Sequence, residues 1–155
     1  MRNYLTAVAL FILGCGPVTT AGIHEEYARK HGVPTSTIDF IARAEYLIGK
    51  GNCPLAFEDL DQARKMEPEE KWLARIDYLH AQCNYDLADR ALMLDKEKSA
   101  AERRFIIDAN CLSGEKRLHA IPPEYLTPDI MELHEELSGT CGLSHYGQIN
   151  GSFLP

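Results

Sequence analysis

Apolar side chains recur every three or four positions along most of the chain after residue 36, which is the spacing of one face of an α-helix. This pattern predicts a first long helix over residues 37–49, preceded by the N-cap candidates Thr35, Ser36 and Thr37. A second helix is predicted over 54–66, because proline is well suited to a first helical turn. Lys50-Gly51-Asn52 lies between them and predicts a tight turn, so the two helices form an αα-hairpin.

The same pattern then occurs a second time, 32 residues further along the chain. Eight of the 22 positions in 40–61 are identical to their counterparts in 72–93, where chance gives about one or two, so we interpret this as an internal repeat. The identical positions of the first copy are Ala42, Arg43, Tyr46, Leu47, Asn52, Leu55, Ala56 and Leu60. The repeat predicts a second hairpin, with one helix over 70–82, a turn at Asn84 and a partner helix carrying Leu87 to Leu92.

Both copies resemble tetratricopeptide repeats, and a Sel1-like αα-repeat is the alternative. The positions that carry the resemblance are Ala44, Gly51-Asn52, Ala56, Leu60, Ala63 and Pro68 in the first copy, and Trp72, Leu79, Asn84-Tyr85 and Ala88 in the second. The resemblance implies an all-α, right-handed superhelix of αα-hairpins, with about two repeats and capping helices. It also implies a peptide-binding groove on the concave face, formed by Ile41, Glu45, Ile48, Leu73, Asp77 and His80. Alternatively, the apolar members are plain core and the two acids plain solvent-facing residues.

The segments on either side of the repeats complete a helical domain over 36–138. A short helix over 23–30, ended by Gly32, is expected within a tether that covers 15–35. After the repeats, helical spacing predicts a helix over 99–112 that ends at Ser113-Gly114, and a last helix from Thr127 that ends at Gly139. The Gly-rich segment 139–155 is predicted to be an extended tail.

The N-terminus has the pattern of a secretory signal. Arg2 precedes an uncharged apolar run over 4–13, which is shorter than the roughly 20 residues needed to span a bilayer. Ile12-Leu13-Gly14-Cys15 resembles a bacterial lipobox and predicts cleavage after residue 14, lipidation of Cys15 and an outer-membrane lipoprotein. Thr19-Thr20-Ala21 is the alternative cleavage site, and it predicts a signal over 1–21 and a periplasmic or secreted protein.

Five cysteines are present, so an exported protein has one thiol left to explain. Lipidation or removal of Cys15 leaves Cys53, Cys83, Cys111 and Cys141, an even set that predicts two disulfides in an oxidising compartment. Cys53 and Cys83 lie at equivalent turns of adjacent repeats, so we favour the pairs Cys53–Cys83 and Cys111–Cys141. The pairs Cys83–Cys111 and Cys53–Cys141 are the second choice.

Charge and motif content restrict the function. The net charge is −7 with no basic cluster, which argues against a nucleic-acid partner. The cysteine spacings contain no CxxC or CxH pair, so no metal is expected. The chain also has no Gly-rich phosphate loop, no GxSxG motif and no recognisable pair of catalytic carboxylates, so we expect no other cofactor and predict that the protein is not an enzyme. The main hypothesis is an exported, lipid-anchored envelope adaptor or assembly factor, similar to pilotins, that binds a protein or peptide. A secreted effector or inhibitor is the alternative, and an enzyme site formed by His134, Cys141 and His145 is the third hypothesis.

Overall fold

The computed structural model describes residues 20–149, with side chains described for residues 22–142. Residues 1–19, with the lipobox and Cys15, and residues 150–155 lie outside the described residues, and the alternative cleavage site Thr19-Thr20-Ala21 overlaps the first described residues. All regular structure in the described part is helical, which confirms the all-α class. The elements are α1 (Thr20–His31), α2 (Thr37–Gly49), α3 (Cys53–Lys65), α4 (Glu70–Met93), α5 (Ala100–His119), the 3₁₀ helix η1 (Pro123–Tyr125) and α6 (Pro128–Ile149).

The chain divides into two compact units, residues 1–33 and residues 34–155. In the described part of the first unit, α1 ends as the sequence predicts. Gly32 has a φ of +86°, a conformation that glycine adopts without steric cost, and its N–H donates to the carbonyl of Ala28 at 2.9 Å. Lys30 and Glu26 form an ion pair of 2.9 Å across one helical turn.

In the second unit, the first predicted hairpin is confirmed. Ser36 caps α2 in a capping box, in which its hydroxyl accepts the N–H of Asp39 and the Asp39 carboxylate accepts the N–H of Ser36. These hydrogen bonds lower the pKa of Asp39, with the Ser36 side chain as the main cause. Gly51 makes the turn with a φ of +70°, and the side-chain oxygen of Asn52 accepts the N–H of Leu55 to begin α3.

The second predicted hairpin is wrong, because α4 is one continuous helix of 24 residues. The alignment places Cys83 and Asp86 opposite Gly51 and Pro54 of the first copy, so the second copy lacks the two residues that break the helix there. The side chain of Asn84 caps nothing here. It donates to the backbone carbonyl four positions earlier at 2.8 Å, within the helix. The repeat therefore conserves the apolar pattern while the turn is lost.

Helix α4 is central to the second unit and packs against α2, α3, α5 and α6. Its face toward α5 and α6 is built from alanines, whose small side chains allow neighbouring helices to approach closely. The buried members of this core are Ala74, Ala81, Ala88 and Ala91 of α4, Ile107, Cys111 and Leu118 of α5, Ile121, and Ile130, Leu133, Leu137 and Cys141 of α6. One long helix therefore packs in this core where the sequence predicted two shorter ones.

Helices α5 and α6 are both longer than predicted, because the two glycines expected to end them lie inside them. A Cβ on Gly114 would come within 2.8 Å of Cδ2 of Leu137 and 3.3 Å of Cβ of Asn84, so this glycine allows close packing between helices. A Cβ on Gly139 would meet no atom within 4 Å, and α6 continues through this residue to Ile149. The prediction of an extended tail is therefore wrong for 139–149.

Candidate functional site

The residues of the predicted groove do not form one open surface. Ile41 and Ile48 are buried, Leu73 is half-buried, and Asp77 and His80 are both 5% exposed. Glu45 is exposed, but it accepts a 2.6 Å hydrogen bond from the guanidinium of Arg75. Asp77 and His80 were expected to face solvent, and this placement is corrected: they belong to the interior where α3, α4 and α5 meet. Whether the open members contact a peptide stays a prediction.

Asp77 is held there by two arginines from neighbouring helices. Arg64 of α3 forms an ion pair with its Oδ1, and Nη1 of Arg117 of α5 donates to the same oxygen at 3.1 Å. A buried carboxylate is costly unless it is paired, and two guanidinium groups satisfy that need. Arg117 is 40 positions from Asp77, so this ionic cluster is a product of the tertiary structure.

His80 lies one turn beyond Asp77 and is kept neutral. Its ring stacks on that of Phe57 with 5.2 Å between centroids, and its Nε2 is 3.4 Å from Oδ1 of Asp61. Burial lowers the pKa of His80 to about 4, with a further contribution from the charge of Arg117. At neutral pH the ring is therefore uncharged, and it packs against the aromatic ring of Phe57.

The two arginines at equivalent positions of the repeat, Arg43 and Arg75, contact acids that are not equivalent. Arg43 makes a bidentate contact with the buried Asp59, with hydrogen bonds of 2.7 and 2.6 Å from Nε and Nη2. Arg75 instead reaches back to Glu45 of α2. The first contact ties α2 to α3 and the second ties α2 to α4, so both arginines stabilise the packing of helices.

The four described cysteines form two pairs at disulfide-bonding distance, and they are the pairs favoured from the sequence. The Cα atoms of Cys53 and Cys83 are 5.4 Å apart, and those of Cys111 and Cys141 are 5.7 Å apart. All four side chains are buried. The first pair ties the start of α3 to the middle of α4, and the second ties α5 to α6.

This pairing involves Cys141, one of the three residues of the hypothetical enzyme site. Cys141 lies against Cys111, whereas His134 makes an edge-to-face contact with His119 at 5.7 Å between ring centroids. The side chain of His145 lies outside the described residues. Among the side chains that the structure describes, no group of three histidines, cysteines or acids is arranged to hold a metal ion.

An apolar pocket opens where α5, η1 and α6 meet, and we call it the α5–α6 pocket. Its volume is about 340 Å³. The lining residues are Leu118, His119, Ile121, Leu126, Ile130, Met131, His134 and Glu135. Leu118, Ile121 and Ile130 form a buried floor, while Leu126 and Met131 are 46% and 59% exposed at the rim. The sequence offered one signal for it, the rigid Pro122-Pro123 that interrupts two apolar segments.

A second depression, the α4–α6 groove, lies on the other flank of α6. It has a volume of about 260 Å³ and is lined by Tyr78, Gln82, Tyr85, Asp86, Asp129, Glu132, Leu133 and Glu136. Burial raises the pKa of Tyr78, Tyr85 and Asp86, and the carboxylate of Glu136 contributes to all three shifts. The groove therefore combines acidic side chains with aromatic walls, and Arg75 and Arg90 lie close enough to offset part of its negative charge.

Comparison with known proteins gives no match, whether with family models, curated proteins or solved structures. Among the described residues, no helix combines the length and the apolar character needed to cross a bilayer. The open depressions beside α6 are thus the structural starting point for a proposal about function.

Proposed function

We propose that this chain is an exported, lipid-anchored protein that binds another protein in the cell envelope, as an adaptor or assembly factor. In this proposal Cys15 carries the lipid and the helical domain lies on the periplasmic side of the outer membrane. The observation that supports export most directly is the arrangement of the cysteines. Four of the five form two buried pairs at disulfide-bonding distance, and Cys15 belongs to neither pair.

Two pairs of this kind suit a small domain outside the cytoplasm. Each pair closes a loop of 30 residues, and such a crosslink stabilises a fold by about 3 kcal/mol in the chain-entropy model. Oxidation of these pairs needs a compartment in which disulfides persist, whereas cytosolic thiols are kept reduced. The proposed lipid on Cys15 would then explain the remaining cysteine.

Protein binding is supported by the surface beside α6, where an apolar pocket and an acidic groove lie open. Large exposed apolar side chains at the rim of a pocket are typical of protein-interaction sites. We also infer that α2 and α3 form one tetratricopeptide-like hairpin, and that α4 corresponds to a second unit without its turn. On this view, substituting Gly and Pro at Cys83 and Asp86 should not restore a hairpin, because the α4 side chains from Ala74 to Ala91 share one core with α5 and α6.

Intact mass of the protein purified from its own membranes tests export and anchoring. A mature chain that begins at Cys15 and carries three acyl groups supports the proposal. A mature chain that begins at Gly22 without lipid would contradict the anchor and favour a secreted effector or inhibitor. Peptide mapping without reductant is the accompanying measurement, and four free thiols at the paired positions would contradict export itself.

Photo-crosslinking in cells tests protein binding. A photoreactive amino acid is placed in turn at Met131, Glu45 and Leu112, three exposed positions on different faces. A crosslinked envelope protein from any of the three supports the binding function. Absence of crosslinks at all three, with the mature protein present at normal level, would contradict it.

A further inference from the structure

We propose that the surface formed by the α5–α6 pocket and the α4–α6 groove binds an amphipathic, basic segment of a partner protein. An apolar side chain of that segment enters the α5–α6 pocket, and a Lys or Arg side chain enters the α4–α6 groove. This inference rests on the proposed function and specifies which surface acts and what chemistry the partner presents.

The pocket is shaped to accept an apolar side chain. Its floor is fully covered by protein, with Leu118, Ile121 and Ile130 all at most 7% exposed, while Met131 leaves more than half of its surface in water at the rim. Covering apolar surface of this kind is favourable at about 25 cal/mol per Å². A pocket with a dry floor and an exposed rim can therefore hold one anchoring side chain of a partner.

The charge around the pocket defines the rest of the partner. Residues 120–138 contain five carboxylates and no lysine or arginine. The five are Glu124, Asp129, Glu132, Glu135 and Glu136. In the described part of the chain no ion pair involves any of them, although eight pairs between a Lys or Arg and an acid form in other regions. A partner with basic residues beside its apolar anchor would supply the missing positive charge.

The same charge argues against two other occupants. A second copy in a symmetric dimer would bring this surface against itself, so the five lining carboxylates would face their own copies, with no Lys or Arg among the lining residues. A bilayer surface that contains anionic lipid would be repelled for the same reason. A basic segment of another protein would be attracted to this surface, whereas a second copy and an anionic bilayer would be repelled by it.

The two depressions are spaced for one partner segment. At 100° per residue, the α6 residues that line the pocket (Ile130, Met131, His134, Glu135) and those that line the groove (Asp129, Glu132, Leu133, Glu136) lie on opposite flanks of the helix. To reach both depressions, the segment crosses the exposed side of α6, a distance of about one helix diameter, or about 10 Å. That distance corresponds to about seven residues of a helix or three residues of an extended chain. Tyr85 of α4 then lies beside the cation in the groove, where an aromatic face favours it, whereas one face of Tyr78 is already covered by Arg75 at 5.0 Å.

Fluorescence anisotropy with labelled model peptides tests the proposal. The main probe is an amphipathic peptide of leucine and lysine. A leucine–glutamate peptide with the same apolar positions and a serine–lysine peptide with the same charge are the two controls. We expect the leucine–lysine peptide to bind about tenfold more tightly than either control, because both the apolar anchor and the positive charge are required.

Variants of the protein then locate the surface. Met131→Gln should weaken binding of the leucine–lysine peptide about fivefold to tenfold, and Glu132→Gln with Glu136→Gln should weaken it about threefold and reduce its salt dependence. Leu112→Gln is the matched control for an exposed apolar side chain outside the pocket, and Glu58→Gln is the matched control for an exposed acid. Neither control variant should change binding.

Three results would overturn the inference. They are equal binding of the leucine–lysine and serine–lysine peptides, equal loss with Leu112→Gln and Met131→Gln, and self-association of the wild-type protein that Met131→Gln abolishes. The failure of the proposed function is a separate outcome. A partner that crosslinks in cells from Leu112 and not from Met131 leaves protein binding intact and places it on another surface.

Discussion

Replacing Gly114 and Gly139 by alanine, one at a time, tests the course of α5 and α6. Both glycines were expected to end helices, and both lie inside helices in the structure. In an exposed helix interior, glycine is less favourable than alanine by about 0.5–1 kcal/mol. Gly139 is exposed and a Cβ there meets no atom within 4 Å, so Gly139→Ala should stabilise the protein by about that amount.

Gly114→Ala should have the opposite sign. The same gain in helix propensity is present, but the new methyl group lies 2.8 Å from Cδ2 and 3.3 Å from Cδ1 of Leu137, a side chain with no exposed surface. Cβ of Asn84 is also 3.3 Å away and cannot rotate out of the way. Overpacking of this kind costs about 1–3 kcal/mol, so the net effect is a destabilisation of about 1–2 kcal/mol.

Urea denaturation followed by circular dichroism measures the difference, which should be about 2 kcal/mol between the two variants. If both glycines ended helices with positive φ, both alanine variants would be destabilised by about 1 kcal/mol. Equal stabilisation by both substitutions would show that α5 and α6 do not pack closely at Gly114, and would refute the reasoning. Destabilisation by Gly139→Ala would show that α6 does not continue through that residue.

Three further predictions concern buried charge and backbone strain. In the folded protein the pKa of His80 is about 4, compared with its usual value of 6.5. The unfolded chain therefore binds a proton first as the pH falls, so the free energy of unfolding should drop by up to about 3 kcal/mol between pH 6.5 and pH 4. His80→Gln should flatten this slope in denaturation titrations, and an unchanged slope would contradict a buried neutral ring. Asp77→Ala leaves two partly exposed guanidinium groups without their carboxylate and should lower the free energy of unfolding by about 2 kcal/mol. Glu45→Ala removes an exposed ion pair and should lower it by less than about 1 kcal/mol. Equal losses would argue against the buried ionic cluster. Glu67 has a φ of +51°, a conformation that is less favourable for glutamate than for glycine. Glu67→Gly should therefore stabilise the folded state by about 0.5–1 kcal/mol and raise the melting temperature. A lower melting temperature would place that residue in another conformation.

The candidate site was harder to predict than the fold. Glu45 and Asp77 are equivalent in the repeat, yet one is exposed and the other is buried between Arg64 and Arg117. Sequence equivalence could not reveal this difference, since it depends on α5 packing over α4 beside Asp77. The α5–α6 pocket was missed for a similar reason, because its floor combines residues from α5, α6 and the segment between them.

The sequence by itself determined the features that depend on neighbouring residues. Helical spacing, the cap at Ser36 (one of three candidates) and the turn at Gly51 are local, and each was predicted where it occurs. The cap at Asn52 is equally local, although only a turn was predicted there. The loss of the turn in α4 was also written in the sequence, in the replacement of Gly51 and Pro54 by Cys83 and Asp86. The similarity of the two copies led to the wrong expectation, since the apolar pattern is shared and the helix breakers are not.

Only the tertiary structure decided the roles of residues whose neighbours are distant in the chain. Gly114 lies inside α5 with Leu137 packed against it, and Asp77 is buried with Arg64 and Arg117 paired to it. A glycine that permits close packing and a glycine that ends a helix look the same in sequence, as do a buried and an exposed acid. The free energy that distinguishes them comes from contacts between helices, and those contacts exist once the chain has folded.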